Sequence, residues 1–418
     1  PVSDGKPDKP LIIAVDGLDN DYSPFSGSSD LDRLIDKACG VTLLGKTRSG
    51  STVTNGVAGV TETFGGKRYE YGGIADTVIS RNEEAGITAY TFNMRSDIGF
   101  ADGEILDADD VLFTLYAWLD PSMPENALTL SDIVGAANYR FNSPAAETLT
   151  DAEIKEALAS EDITELMREE LMIPVLTAQY ENVSSLYGDG TYDIYTATYP
   201  DPDDLFVFFY SNDGQLTLPE DASKNDIIEE VARTYGNNYR ALAGRTSGDE
   251  HALDDSAVNL AVGYLTAQLS EDGEPENVNN ITGITKTGKF SLTVTVYGDG
   301  RQLEAALCDT VIAPLHYYGD EAMFDIAKNS FGFARGEAQA LADVHKGEPL
   351  GAGAYMLDGY EDGSILLKAN ENYCGEAPLT ASVKLVAGGD AAALIADGTA
   401  DIACESSSAE LNSRIDEA

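Results

Sequence analysis

The sequence predicts an α/β protein of two or three domains, and three observations lead there. The chain has 418 residues, enough for more than one hydrophobic core. Thr88 to Pro121 reads as a strand, a tight turn and a capped helix in succession. Asn279 to Val296 reads as two alternating strands about a turn at Gly288.

Taken in order, Pro1 to Pro10 is a polar, proline-bearing leader, and Leu11 to Val15 is a short apolar run expected as a buried strand. Asp16 to Asp30 is a loop rich in Gly, Ser and Asp. Leu31 to Ala38 should be helical, with Leu31, Leu34, Ile35 and Ala38 on one apolar face. Thr52 to Val60 is Thr- and Val-rich, and Gly65-Gly66 and Gly72-Gly73 punctuate further strands.

Tyr90, Phe92 and Met94 alternate with Thr91, Asn93 and Arg95, the period of a half-buried strand, before the Asp102-Gly103 turn. Asp107 can cap the helix that follows. Asp109 and Asp110 lie where the macrodipole favours acids, Val111, Leu112, Leu115, Trp118 and Leu119 form its apolar face, and Asp120-Pro121 stops it. Further helices are expected over 151–171, 225–235 and 255–269. Phe206 to Tyr210 is β-prone, and Ala381 to Val386 is a strand.

With 26 basic against 72 acidic residues the formal charge is -46, which argues against nucleic acid and anionic lipid as partners. No apolar run reaches the roughly 18–20 residues that cross a bilayer. Cys39, Cys308, Cys374 and Cys404 lie far apart with no Cys-x-x-Cys spacing, so neither a zinc site nor a disulfide framework is expected. With three histidines, His251, His316 and His345, and no hydrolase motif, no catalytic residue, cofactor or metal is assigned.

Gly40 to Thr47 matches the literal pattern of a phosphate-binding P-loop. Its context is wrong. A helix precedes it, Val41 to Leu44 is β-prone, and Arg48 to Thr52 is a poor start for a helix, so nucleotide binding is only a low-ranking alternative.

Two long stretches carry a family resemblance. Tyr90, Phe92, Met94, Arg95, Phe100, Asp102, Gly103, Ala108, Asp110, Val111, Phe113, Asp120 and Pro121 resemble a signature of the extracellular solute-binding proteins of family 5, the peptide-, dipeptide- and nickel-binding receptors of ABC importers. Gly351, Gly353, Tyr355, Tyr360, Gly363, Asn370, Tyr373 and Gly375 resemble a second, although Ala354 and Cys374 replace its usual proline and aromatic. Weaker matches are Ile74 to Val78, 279–296 and 307–319, where His316 is expected to be structural.

The resemblance implies more than the residues alone give: an α/β, periplasmic-binding-protein-like fold (type II, cluster C) of two lobes, with an extra subdomain and an incomplete second lobe. Residues 1–40 would open lobe one, 41–277 form the extra subdomain with a long helical insertion from residue 122, 278–387 return to lobe one, and 388–418 supply the hinge and the start of lobe two. The implied function is capture of extracellular solutes, short peptides first, by hinge closure, and delivery to membrane permease subunits. Nickel, haem or oligosaccharide receptors of the same family are alternatives, with nickel disfavoured by the scarcity of histidine. A monomer is expected, at the outer face of the cell membrane on a lipid anchor or in the periplasm. Phe25, Ser26, Gly27, Ser28 and Ser29, with Cys404, Glu405 and Ser406, are the implied ligand-binding residues.

Overall fold

Leu11–Val15 is an unbroken apolar run, and in the computed structural model it becomes the strand around which the first sheet is built. The structure describes residues 9–15, 18, 21–26, 30–124, 126–188, 191–212, 216, 218, 222–269, 277–361, 363–387, 394–395 and 398–404. The chain divides into two compact units, Pro1–Arg140 with Asn279–Ala418, and Phe141–Val278.

The first unit begins with β1 (Leu11–Val15), α1 (Asp30–Cys39), β2 (Gly45–Lys46), β3 (Thr52–Val53), β4 (Val60–Phe64), β5 (Lys67–Tyr71), β6 (Ala75–Asn82), β7 (Ile87–Met94), α2 (Ala108–Leu119) and α3 (Ala136–Arg140). The second unit is helical among its described residues: α4 (Asp151–Ala159), α5 (Thr164–Met167), α6 (Ile173–Leu186), α7 (Asp193–Thr196), α8 (Pro202–Tyr210), α9 (Lys224–Arg233), α10 (Tyr239–Thr246) and α11 (Asp254–Leu269). The first unit resumes with β8 (Ile284–Gly288), β9 (Ser291–Tyr297), α12 (Arg301–Leu307), α13 (Leu315–Tyr318), β10 (Phe324–Asp325), β11 (Ser330–Phe331), β12 (Tyr355–Glu361), β13 (Ser364–Ala369), β14 (Ser382–Ala387) and β15 (Ile402–Cys404).

One sheet of the first unit runs β12-β13-β14-β1-β15, with β1 parallel to both β14 and β15. Both faces of β1 are covered, which is why the run is apolar throughout rather than alternating. Leu11, Ile13 and Val15 pack with Ile35, Cys39 and Leu385, while Ile12 and Ala14 pack with Leu394, Ala400 and Ala403. Residues 402–404, expected in the opening segment of a second lobe, are therefore a strand beside β1. The other sheet runs β6-β7-β9-β8, with Tyr90 opposite Val294 and Phe92 opposite Leu292. This β7–β9 ladder holds residues from before and after the second unit in one sheet. The expected boundaries at 40, 277 and 387 thus compare with observed divisions after Arg140 and Val278.

Helix α2 is the densest element of this unit. Every residue but Asp109 and Trp118 is buried, so the expected apolar stripe is nearly a full circumference, and Trp118 is the member of the expected face that stays partly open. Its cap is reciprocal: the Asp109 N–H donates to the Asp107 carboxylate and the Asp107 N–H donates to Asp110, both at 2.8 Å. Asp110 also accepts the Leu315 N–H at 2.9 Å, and the Thr114 hydroxyl accepts the Ala313 N–H at 2.9 Å. At the other end Asp120, fully buried, accepts the Gly336 N–H at 2.8 Å and the Ser122 N–H at 2.9 Å.

The second unit corrects one expectation. Phe206 to Tyr210 is helical, not extended: Asp201 accepts the Asp204 N–H at 2.8 Å as N-cap, and Pro202 occupies the first turn, where a missing N–H costs nothing. Leu205 and Phe206 then enter the core beside Met167, Leu176 and Val231, and this packing outweighs the β-propensity of the aromatic run. The single helix expected over 151–171 is interrupted at Ser160, which caps the following turn by accepting the Asp162 N–H at 3.1 Å. A π-helical turn at Arg168–Met172 precedes α6, where Pro174 lacks the N–H that would continue the ladder. Tyr180, Tyr187, Tyr192 and Tyr195 pack partly buried against this core.

Replacing Asp110 with alanine leaves the N–H groups of Asp107, at the cap of α2, and of Leu315, at the start of α13, without an acceptor. The expected cost is roughly 1.5–3 kcal/mol in urea unfolding, against less than about 0.5 kcal/mol for alanine at partly exposed Asp109.

Candidate ligand-binding site

The segment between β1 and α1 is held by its own short side chains. The Phe25 N–H donates to Ser23 Oγ at 3.3 Å, the Ser26 N–H to the Ser23 carbonyl at 3.1 Å, and the Ser26 hydroxyl to the Asp21 carbonyl at 3.0 Å. Phe25 was expected to meet ligand, yet its ring is 3% exposed. It meets Phe113 edge-on at 5.5 Å and Tyr318 at 6.0 Å, so it anchors the loop in the core. Ser26 lines a cleft of about 280 Å³. Gly27, Ser28, Ser29, Glu405 and Ser406 lie outside the described residues. Cys404 ends β15, its backbone opposite Val15.

The cleft is bordered by this loop, by α1, by the C-terminal end of α2 with the turn after it, and by the segment following α12. Sequence reasoning missed its charged residues. The buried face of α1 is not the expected Leu31-Leu34-Ile35-Ala38 stripe: Leu34 is 45% exposed, whereas Asp32 and Asp36 are buried together with Ile35 and Cys39. An acid pair at i and i+4 on the same side as two apolar residues was the available signal, because such a pair is unfavourable on a solvated helix and needs another reason to be there.

Close packing covers the end of α1. A Cβ on Gly351 would stand 2.3 Å from the Cys39 carbonyl oxygen and one on Gly353 would stand 2.4 Å from the Cys39 carbonyl carbon. Only glycine lets this segment approach the helix end, where the Gly353 N–H donates to the Cys39 carbonyl at 2.8 Å. Burial, followed by the charges of Asp32 and Asp21, pushes the Asp36 carboxyl up to about 7. Its Oδ1 is shut off from solvent and receives no hydrogen bond among the described residues.

Cations gather one turn away. Lys37 and Lys46 reach Asp309 at 2.7 and 3.0 Å. Burial raises the Asp309 carboxyl, but these two ammonium groups outweigh it and hold the group below its ordinary value. The lysine of the P-loop-like pattern is therefore engaged by a carboxylate. Gly45–Lys46 is a strand paired with Thr52–Val53, and Thr47 donates to Glu62 at 2.9 Å, so this stretch has neither the loop nor the helix a phosphate cradle requires. His316 is bound to Asp102 of the signature turn at 2.8 Å.

No family model and no curated protein sequence matches the chain. Solved structures similar to it include the murein tripeptide-binding protein MppA of Escherichia coli, with a TM-score of 0.45, 12% identity, and 95% of this chain aligned to 46% of that one. Lactococcal OppA complexed with an endogenous peptide gives 0.43, 14%, 94% and 45%. NikZ from Campylobacter jejuni in complex with Ni(L-His) gives 0.39, 13%, 95% and 43%. The chain spans less than half the length of each of these proteins.

The raised Asp36 carboxyl sets a pH dependence. Its folded value, about 7, lies above the ordinary 3.8 of an unfolded chain, so the folded state binds the proton more tightly. The associated stability is complete below the unfolded value and is lost as pH rises through the folded one. Asp36→Asn, neutral at every pH, is expected to raise the Tm at pH 8 and leave it nearly unchanged at pH 4, a differential of roughly 3 kcal/mol. Equal shifts at the two pH values would contradict this assignment.

Proposed function

We propose that the protein is the substrate-binding component of an ABC importer, a receptor that captures an extracellular solute and delivers it to permease subunits in the membrane. One observation carries this reading: the two stretches that resemble family 5 receptors, far apart in sequence, clasp each other in the fold. The Arg95 guanidinium donates to the Cys374 carbonyl at 3.1 Å, and the Ala101 N–H donates to the Gly351 carbonyl at 3.0 Å. The Asn372 amide donates to the Phe100 and Ala101 carbonyls, both at 3.2 Å. Chance resemblance at two places gives no reason for the two stretches to lie against one another.

Short peptides are the solute this reading favours, held through backbone groups and tolerant pockets, with closure of two lobes stabilising the bound state. Binding rather than catalysis is its task, and the acidic, unsticky surface suits a monomer working outside the cytoplasm, on a lipid anchor or in a periplasm. Nickel, haem and oligosaccharide are the competing ligands.

Offered a mixed peptide library, the protein is expected to retain short peptides, identified by mass spectrometry after denaturing the washed complex. Recovery of sugar or metal with no peptide would reassign the ligand, and recovery of nothing would remove the receptor reading.

A further inference from the structure

Residues 169–223 carry eleven acids and no Lys, Arg or His, together with nine Tyr and Phe. The fold brings part of this block to one surface of the second unit. On α8, Asp204 and Phe208 stand four residues apart and share a face, about 6 Å apart along the axis, and Asp201 caps the same helix three residues earlier. All three are exposed. Phe208 keeps 48% of its surface open and Ile194 of α7 keeps 82%. This apolar surface is nonetheless held in place. The Phe208 ring stacks on Tyr199 at 4.5 Å and meets Tyr195 at 6.1 Å, and Tyr195 meets Phe209 edge-on at 5.2 Å, which packs on the core of the unit. Rings fixed before anything binds lose little freedom when a partner arrives.

Charge selects the occupant. The Asp204 carboxyl is held above its ordinary value, first by burial and then by the charges of Asp201 and Asp203, which marks strong negative potential at this end of α8. The bases that come near are committed elsewhere. Lys224, which ends the base-free block, is engaged by Glu181 and lies over the Tyr180 ring at 5.2 Å, and Arg245 donates to the Phe209 carbonyl at 3.3 Å, toward the other end of α8. A second copy of a chain with a charge of -46 is repelled, as are nucleic acid and anionic lipid. Apolar side chains bordered by cations fit, because the carboxylates attract the cations and the exposed rings can add cation–π contacts. We propose that the exposed face of α7 and α8 is a docking surface for a basic amphipathic helix of a partner protein, with its apolar side chains on Phe208 and Ile194 and its lysines or arginines over Asp201 and Asp204. The surface lies wholly within Phe141–Val278, so its occupancy is independent of the solute that the receptor takes.

The test is fluorescence anisotropy of a labelled peptide of lysine and leucine, about 14 residues long and patterned as an amphipathic helix of four turns, titrated with the whole protein. Salt is kept at about 0.15 M, where long-range attraction is screened. Ile194→Ser and Phe208→Ser are each expected to weaken binding roughly ten-fold, and Asp201→Asn combined with Asp204→Asn roughly five-fold, the asparagine at 201 preserving the helix cap. Leu379→Ser, at a site of the first unit that is 85% exposed, is expected to change nothing. Ile194→Ser removes a side chain that faces water, so it leaves the fold intact, as its thermal transition verifies. The inference is overturned if the variants of this face bind like the wild type, which would reduce the attraction to overall charge, or if no peptide binds. It is overturned as well if a peptide with shuffled order, or one with glutamate in place of lysine, binds as tightly as the patterned one. A wild-type dimer that Phe208→Ser dissolves would give the face to a second copy, and flotation with phosphatidylcholine vesicles that Phe208→Ser abolishes would give it to lipid; either result also overturns the inference.

Discussion

The first unit depends on backbone N–H and C=O groups being paired with groups that sit far away in sequence. Arg95, Ala101 and Asn372 close the contact between the two signature stretches, and Asp110, Thr114 and Asp120 extend it to the segments before α13 and after β11. Segments without regular structure would otherwise bury unpaired N–H and C=O groups, each at a cost comparable to the worth of several apolar contacts. Carboxylates are suited to this role because one group accepts from several donors at once. Asp110 and Asp120 are thus held in the interior of a protein whose other acids mostly face water.

The same demand explains which parts of the fold were legible in the sequence. Tyr90, Phe92 and Met94 alternate as expected and are buried, and the Asp107 cap and the Asp120 stop fall where local chemistry puts them. These are features of neighbouring residues. Phe206 was misread because its own β-propensity is strong, and the deciding contacts come from Met167, Leu176 and Val231, which no short window contains. Leu34 was misread for a related reason: hydrophobicity proposed a face for α1, but the approach of Gly351 and Gly353 to Cys39 fixes which side of the helix is covered.

The loop beside the cleft could be read from the sequence, but the charged lining could not. Ser23, Pro24 and Ser26 of the loop after β1 line the cleft. Phe25, however, holds the loop from beneath, and the charges that distinguish the cleft come from Asp36, Arg33 and Lys37 on a helix that reads as ordinary scaffold. A carboxylate's pKa depends on burial and on neighbours across the fold, and neither is written in its local sequence.

The position of β1 also bears on how the chain acquires its structure. Leu11–Val15 is flanked by β14 and β15, both formed from residues beyond 381, while the helices of Phe141–Val278 make contacts closer in sequence. During synthesis from the N-terminus, the whole helical unit leaves the ribosome while β1 still lacks both neighbours. An apolar strand with two open edges must remain unpaired until residues beyond 381 emerge, and the loop it closes is long, which slows folding. Such a chain cannot close its first sheet until residues beyond 381 have been made.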